Sequence, residues 1–180
     1  MRIIGGTHKR IRIDAPKNLP LRPTTDFARE TLFNVLEHSM DLSSLRVIDL
    51  FSGTGAISFE FASRGAMEIL AVDRLPQALL FTRKKAQELG FVSIKTLKSD
   101  ALRFLAENNT SADLIFADPP FDFEQYNELI SKVLQSQSLK PGGLFIVEHS
   151  SRNDFSEREW FLKKKTCGAI SFSFFTKSQA

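Results

Sequence analysis

Short runs of Val, Ile, Leu and Phe alternate along this chain with longer stretches of helical period. Such alternation is typical of βαβ units, in which helices cross between the parallel strands of one sheet. The predicted parallel strands are 46–50, 68–72, 93–97, 113–117 and 144–148. The helices after the first four strands are predicted at 56–64, 76–89, 101–107 and 123–137. We therefore expect an α/β fold with a doubly wound, mostly parallel sheet.

The two ends of the chain depart from this alternation. Segments 160–166 and 170–176 are apolar runs joined by a link with Gly168, which predicts an antiparallel hairpin. The turn residues at 141–143 precede the fifth strand. Near the N-terminus, Asp26 is the predicted N-cap of a helix at 26–38, and the segment before it predicts a short hairpin that turns at Gly5-Gly6 or soon after. We expect one domain over residues 1–180, with 1–40 forming a basic arm and helix and 41–180 the catalytic core.

The cysteine count and the lack of long apolar runs indicate the cellular compartment of the protein. The 180 residues include one cysteine, Cys167, which excludes an internal disulfide and a cysteine metal cluster and fits a reducing environment. We expect this cysteine to be buried and inert, and we expect no metal site. No apolar run approaches the roughly 20 residues of a membrane span, and the N-terminus lacks the pattern of a signal peptide. A cytoplasmic protein with no membrane partner is expected.

Basic residues are concentrated near the N-terminus, although the formal net charge of the chain is only +3. In this segment a single acidic residue, Asp14, accompanies the basic residues Arg2, Lys9, Arg10, Arg12, Lys17 and Arg22. Such asymmetry attracts phosphates, but an ordinary solvated surface can carry the same charges. The charge alone leaves both interpretations open.

A loop with two glycines follows the first strand and opens a helix, which is where a doubly wound fold binds its cofactor. Gly53 and Gly55 allow positive φ angles and close approach of a ligand, and a helix N-terminus attracts an anion. Asp73 ends the second strand, where a carboxylate accepts hydrogen bonds from ribose hydroxyls. Asp100 is either a contact to an adenine amine or an ordinary helix N-cap. The predicted cofactor residues are Asp49, Phe51, Gly53, Gly55, Asp73, Asp100 and Ala101.

Asp118-Pro119-Pro120-Phe121 follows the fourth strand, which lies beside the first strand in the expected sheet order. The exocyclic amine of guanine or adenine is a weak nucleophile because its lone pair is delocalised into the ring. The carboxylate of Asp118 and the carbonyl of Pro119 can accept from the amine and aim its nitrogen at a methyl donor. The prolines restrict the backbone, and Phe121 offers a ring on which a base stacks. The motif predicts methylation of a planar amine and leaves guanine, adenine, RNA and DNA open.

With these motifs in hand, the chain resembles the bacterial enzymes that methylate N2 of a guanine in 16S ribosomal RNA, over almost its whole length. The matching segments are MRIIGG at 1–6, LRPTTD at 21–26, RETLFN at 29–34, DLFSGTG at 49–55, SRGA at 63–66, VD at 72–73, DPPF at 118–121 and PGG at 141–143. The glycine loop and DPPF are shared by many amino methyltransferases, whereas segment 22–34 is far more specific. The chain departs from the family at Phe121, where Tyr is frequent, at Phe27-Ala28, where a basic residue is common, and at Cys167-Gly168, where Tyr-Gly is frequent.

The resemblance implies a Rossmann-like class I methyltransferase fold with a seven-stranded sheet and S-adenosylmethionine as the cofactor. It implies 16S rRNA within the small (30S) ribosomal subunit as the partner, and we expect a monomer. Asp118 and the three residues after it would be the catalytic residues. The residues expected to contact the RNA or the entering base are Arg2, Lys9, Arg10, Arg12, Arg22 and Thr24.

Three other interpretations stay open. A DNA adenine-N6 methyltransferase would use the same tetrapeptide, although the chain has no room for a separate target-recognition domain. A silent RNA-binding assembly factor would have no need of an intact Asp118. A nicotinamide dehydrogenase is disfavoured by Ser58, which stands where its fingerprint has a third glycine or alanine, and by the histidines, of which only His149 is plausibly placed after a strand.

Overall fold

Seven strands form one sheet in the part of the chain that the structure describes, residues 1–16 and 25–178. The computed structural model orders them β3-β2-β1-β4-β5-β7-β6. The strands are β1 (Arg46–Leu50), β2 (Glu68–Asp73), β3 (Ile94–Lys98), β4 (Ala112–Ala117), β5 (Leu139–Ser150), β6 (Phe161–Cys167) and β7 (Ile170–Thr176). The helices are α1 (Asp26–Ser39), α2 (Ala56–Ser63), α3 (Pro76–Glu88), α4 (Ala101–Glu107) and α5 (Tyr126–Gln135).

The central strand β1 determines where a crevice opens. It pairs in parallel with β2 on one side and with β4 on the other, and the chain order reverses at this point. Val47, Ile48 and Leu50 are buried because one apolar core lies under α1, α2 and α3 and a second lies under α4 and α5. Where the strand order reverses, successive connections leave toward opposite faces and open a crevice at the carboxyl edge. The fold therefore brings the loop at 49–55 and the tetrapeptide at 118–121 to neighbouring strand ends.

The predicted α/β architecture is confirmed, and the sheet ends in the predicted antiparallel hairpin of β6 and β7. Two helix starts were predicted wrongly. Thr25, rather than Asp26, caps α1, because its Oγ1 accepts from the N–H of Ala28 at 3.2 Å. The last helix begins at Tyr126 instead of 123, because the chain first makes a turn in which the Phe123 N–H donates to the carbonyl of residue 120.

The fifth strand also starts earlier than predicted. β5 begins at Leu139, so the Pro-Gly-Gly segment is an irregular part of the strand rather than a turn before it. The Gly142 N–H donates to the carbonyl of Lys177 at 2.9 Å, and the pairing register with β4 shifts beside this segment. The irregularity lets β5, an interior strand, continue past residues that usually end a strand.

The N-terminal arm, residues 1–13, forms the expected short hairpin and lies against α1 and α2. An isolated antiparallel bridge joins Arg2 to Arg12, and Ile3 is buried. The turn of the hairpin reaches the C-terminal end of α2, where the Thr7 N–H donates to the Ser63 carbonyl at 2.7 Å. The arm is therefore packed against the C-terminal half of α2.

A buried group of charged side chains joins the arm to both helices. The side chains of Arg29 and Glu60 are 1% and 0% exposed and lie 3.1 Å apart. Glu60 also accepts from the backbone N–H of Ile4 at 2.8 Å and pairs with Arg64. Arg29 donates to the carbonyl of Arg2 at 3.0 Å. Charges in such a place are tolerated only when they are paired, so each member depends on the others.

We expect Glu60→Gln to lower the free energy of unfolding by about 3 kcal/mol, the low end for a broken buried ion pair. Arg29 and Arg64 lose the buried carboxylate that they share and keep only the more exposed carboxylates of Asp26 and Glu37. Urea denaturation followed by circular dichroism measures the change. The matched control is Glu88→Gln, which removes a carboxylate from an exposed pair with Lys85 and should leave the midpoint nearly unchanged. Equal effects of the two substitutions would contradict a special contribution of Glu60.

Candidate active site

A cavity of about 1050 Å³ opens at the carboxyl edge of the sheet, at the reversal point beside β1. Nine of the residues predicted to act in catalysis or cofactor binding line it: Asp49, Phe51, Gly53, Asp73, Ala101, Asp118, Pro119, Pro120 and Phe121. The structure therefore brings the glycine loop and the tetrapeptide into one cleft. We call this cavity the cleft below.

The loop after β1 has an unusual backbone. Phe51 and Gly53 have φ angles of 58° and 51°, and for phenylalanine such an angle is strained. Asp73, at the end of β2, steadies the loop: its Oδ2 accepts from the Gly53 N–H at 2.8 Å, and its Oδ1 accepts from the Leu75 N–H at 2.8 Å. Each carboxylate oxygen has a second lone pair, so Asp73 can still accept from a ribose hydroxyl.

Gly55 and Asp100, both predicted to bind the cofactor, do not line the cleft. Gly55 is the N-cap of α2 with a φ of 79°, and a Cβ there would lie 2.7 Å from Cγ2 of Thr82. This glycine is needed for helix packing. The Oδ1 of Asp100 accepts from the N–H groups of Leu102 and Arg103 at 2.9 and 3.2 Å, which makes it the N-cap of α4. Of the two interpretations left open for Asp100, the structure supports the helix cap.

Asp49 lies beneath the loop and is only 1% exposed. Its Oδ2 accepts from the hydroxyl of Ser58 at 2.5 Å and from the Ser58 N–H at 3.1 Å. Burial, together with the nearby carboxylates of Asp118 and Asp73, raises the pKa of Asp49 to about 7 against the lowering effect of the hydrogen bonds from Ser58. Ser58 therefore donates two hydrogen bonds to Asp49 from the position where a dinucleotide fold has glycine or alanine. A cation in the cleft would favour the ionised form of Asp49.

The cleft also holds a buried polar atom without a partner. The Oγ of Ser52 is buried and makes no hydrogen bond within the described residues, although Ser52 lines the cleft. Buried hydroxyls are normally hydrogen-bonded, so this atom is available to a polar ligand group. Asp73 can accept from a ribose hydroxyl, and the neighbouring carboxylates of Asp49 and Asp118 favour a positive charge. Together with the Ser52 hydroxyl, these groups fit S-adenosylmethionine. The residues present therefore match that cofactor.

The tetrapeptide stands at the mouth of the cleft. Asp118 is half-buried and its N–H lies 3.4 Å from the carbonyl of Leu50, so the motif directly borders β1. Phe121 is 72% exposed. This exposure argues against the alternative that Phe121 caps the core, and it leaves the ring accessible for stacking on a base.

Several residues that line the cleft had no signal in the sequence. They come from the N-cap of α1, the segment that leads into α5, α5 itself, the end of β5 with the loop after it, and the β6–β7 hairpin. They are Thr25, Phe123, Glu124, Tyr126, Glu148, Ser150, Asn153, Cys167, Ala169 and Ile170. Cys167 is buried as predicted but lies at the cleft, although it is far from the motifs in sequence. Tyr126 remains protonated because burial, helped by Asp118 and Glu148, raises its pKa to about 12.

His149 lines the cleft but is engaged by the protein. Its Nδ1 lies 2.8 Å from the carbonyl of Ser150, which can only accept, so Nδ1 carries the proton. Its Nε2 then accepts from the hydroxyl of Ser173 at 2.7 Å. Burial lowers the pKa of His149, which keeps the ring neutral. This arrangement gives no support to the dehydrogenase interpretation, which needs a residue free to transfer a proton.

The arm residues predicted to bind RNA lie outside the cleft. Arg2 pairs with Asp26 at 2.7 Å, one position after the cleft residue Thr25. Lys9 and Arg10 belong to the turn at the far end of α2. Arg22 and Thr24 lie outside the described residues. Within the described residues, no group of three potential ligands could hold a metal ion, and no helix is long and apolar enough to cross a membrane.

Comparison with known proteins places this geometry in a family. Residues 1–176 match the family described as "Conserved hypothetical protein 95". The chain belongs to this family. It is 30% identical over 168 residues to the "Ribosomal RNA small subunit methyltransferase D" of Buchnera aphidicola subsp. Baizongia pistaciae, covering 92% of this chain and 85% of that relative. It is 30% identical over 182 residues to the protein of the same name in Escherichia coli strain K12, covering 98% and 90%.

Solved structures agree with this family. A structure described as "Putative methyltransferase yhhF from Escherichia coli" superposes with a TM-score of 0.85 at 27% identity, covering 100% of this chain and 99% of that one. A Thermus thermophilus 16S rRNA N2 methyltransferase, solved with AdoMet and guanosine, has a TM-score of 0.73 at 21% identity, covers 88% of this chain and 45% of its own, and shows similarity of fold alone. The predicted family, the Rossmann-like fold, the methyltransferase activity and the S-adenosylmethionine cofactor are confirmed.

The raised pKa of Asp49 makes stability depend on pH. Between the ordinary pKa of 3.8 and about 7, the folded state binds more protons than the unfolded state, so this group makes stability fall as pH rises. Asp49→Asn removes the titration and keeps an acceptor for Ser58. We expect the stability of the variant minus that of the wild type to increase from pH 5 to pH 7, by up to about 1.4 kcal/mol per pH unit.

Urea denaturation of both proteins at several pH values measures this difference. Asp41→Asn is the control, because hydrogen bonds from Ser43 lower the pKa of Asp41 and its titration lies below this range. The control difference should stay flat from pH 5 to pH 7. A flat difference for Asp49→Asn as well would show that the carboxyl of Asp49 has an ordinary pKa.

Proposed function

We propose that this protein transfers a methyl group from S-adenosylmethionine to the exocyclic N2 amine of a guanine in 16S rRNA. The observation that carries the proposal is the shared cleft: the carboxylate of Asp118 borders the same cavity as the glycine loop and Asp73. A methyl acceptor at Asp118 and a cofactor held by the loop would meet within it. The names of the relatives support ribosomal RNA as the substrate.

The cofactor supplies an electrophilic methyl group on a positively charged sulfur. Asp73 would bind the ribose of the cofactor, and Ser52 would bind one of its polar groups. The carboxylates of Asp49 and Asp118 favour its positive charge. These residues therefore bind and orient the cofactor, and none of them transfers a proton to it. Rate acceleration then comes mainly from positioning.

Asp118 and the carbonyl of Pro119 act on the acceptor. By accepting hydrogen bonds from both N–H groups, they favour a tetrahedral nitrogen whose lone pair is no longer delocalised into the ring. The same contacts aim that lone pair into the cleft. The surplus proton of the methylated nitrogen passes along its hydrogen bond to the Asp118 carboxylate and from there to solvent.

Phe121 would hold the base at the mouth of the cleft. A guanine in a folded RNA must leave its stack to enter, which costs a few kcal/mol, and stacking on an exposed ring offsets part of that cost. The 72% exposure of Phe121 supports this role. Phenylalanine in place of tyrosine keeps the stacking surface and omits the hydroxyl.

We further propose that the substrate is the small ribosomal subunit, and that the protein acts on it as a cytoplasmic monomer. The arm would extend the RNA contact beyond the cleft. Lys9 and Arg10 lie at the far end of α2, which spans Ala56–Ser63, about 12 Å at 1.5 Å per residue. Contacts this far from the target amine would read the phosphate backbone and not the base.

Asp118→Ala should leave the affinity for S-adenosylmethionine nearly unchanged and lower kcat by about 100- to 1000-fold or more, because it removes a hydrogen bond made in the transition state. Isothermal titration measures binding, and radiolabelled methyl transfer to purified small subunits, protein-free 16S RNA and duplex DNA measures turnover. Asp122→Ala is the control, since Asp122 is exposed and does not line the cleft. Unchanged turnover would remove Asp118 from the mechanism, and label found only in DNA would overturn the substrate.

Replacing Lys9, Arg10 and Arg12 together with Gln should weaken RNA binding and flatten its salt dependence, because each lost phosphate contact lowers the slope by about 0.7–0.9. Filter binding over a series of salt concentrations measures the slope, and titration checks that cofactor affinity stays the same. Lys84→Gln on α3 is the control for loss of an exposed positive charge. A slope equal to that of the wild type would show that the arm does not contact phosphates.

A further inference from the structure

A second carboxylate lies beside Asp118 in the cleft. Glu148 is near the end of β5, is 8% exposed and lines the same cavity. The strands β4 and β5 run parallel with Ala117 paired to Val147, so the next pair in register is Asp118 and Glu148. Neighbouring strands lie about 4.8 Å apart. The backbone thus holds these two acidic residues side by side at the edge where the base would enter.

Strand alternation assigns both side chains to the same face of the sheet. Phe116 and Ile146 are a registered pair in the core under α1, α2 and α3, and side chains two residues further along a strand point to the same side. Asp118 and Glu148 are those residues. Both acids lie near the phenol of Tyr126, because each carboxylate adds to the effect of burial in raising the pKa of Tyr126 to about 12. The two acids and the phenol therefore lie close enough to interact with one another in the cleft.

Guanine offers a matching edge. Its N2 amine and its N1–H are neighbouring donors, whereas adenine and 2-aminopurine have a lone pair at N1. We propose that Glu148 is a specificity-determining residue whose carboxylate accepts the N1–H of the guanine that presents its N2 amine to Asp118. This inference rests on the proposed function, because it deepens the choice of base at the same site.

The chemistry favours guanine by both attraction and repulsion. A largely buried carboxylate accepts a charge-assisted hydrogen bond from N1–H, which is stronger than a bond between neutral groups. The same carboxylate against the N1 lone pair of another purine is left with a repulsive contact in a site that little water reaches. Sites that require a hydrogen-bonding group commonly reject analogues lacking it by about 10⁴-fold.

The test compares guanine with 2-aminopurine at the target position. The methylated nucleotide is first located by mass spectrometry with the wild-type protein. Small-subunit RNA is then prepared with either base there, because 2-aminopurine keeps the N2 amine and lacks the N1–H. Single-turnover rates are measured for the wild type, Glu148→Gln, Glu148→Asp and the control Glu128→Gln, which changes an exposed residue of α5.

Glu148→Gln should lower the rate on guanine about 10- to 100-fold. It should also raise the ratio of the 2-aminopurine rate to the guanine rate above that of the wild type, because an amide N–H can donate to the N1 lone pair. Glu148→Asp keeps the negative charge on a shorter side chain, further from the base. It should lower the rate on guanine without raising the ratio of the 2-aminopurine rate to the guanine rate. Glu128→Gln should leave both rates unchanged. Cofactor affinity, measured by titration, should stay near the wild-type value in every variant.

An equal fall on both bases in Glu148→Gln, or a loss of folding in both variants of Glu148, would show a structural role and overturn the inference. The proposed function would survive that result, because the wild type would still methylate guanine. Failure of the wild type to label any guanine at N2 would instead overturn the proposed function and the inference together.

Discussion

Two carboxylates hold the loop on which the cleft depends. Asp73 accepts from the Gly53 N–H at 2.8 Å, and Asp49 accepts from the Ser58 hydroxyl at 2.5 Å in the first turn of α2. The backbone between them adopts left-handed φ angles, including one at Phe51 that is costly for a residue with a side chain. Hydrogen bonds from two neighbouring strands offset that cost. Without them nothing in this part of the fold would offset the strain at Phe51.

The same carboxylates make the cleft acidic. Asp49 and Asp118 repel one another enough to add to the effect of burial on the pKa of Asp49, which is raised to about 7. Such repulsion is relieved by a positive charge or by a set of N–H donors. A sulfonium cofactor brings the first, and the amine edge of guanine brings the second. One electrostatic feature of the fold thus suits both molecules that meet there.

The first turn of α1 connects the cleft to the arm. Thr25 lines the cleft, and the next residue, Asp26, pairs with Arg2 of the arm and with Arg29 inside the domain. Arg29 in turn pairs with the buried Glu60 of α2, the helix that begins at the cofactor loop. The arm is therefore part of the folded unit that surrounds the cleft, so a contact between RNA and the arm is made at a defined distance from the target base.

The sequence by itself determined the order of strands and helices, because apolar runs and their spacing report which segments are buried between helices. It also located the loop at 49–55 and the tetrapeptide at 118–121, since both chemistries need particular residues next to a strand end. Local signals were weaker at boundaries. Thr25 and Asp26 are both good caps. In the folded protein the Asp26 carboxylate pairs with Arg2 and Arg29, and Thr25 caps the helix. Tertiary structure alone placed Glu148, Tyr126 and Cys167 in the cleft. Those residues are distant in sequence, and they meet Asp118 because β5 pairs with β4 and the β6–β7 hairpin pairs with β5.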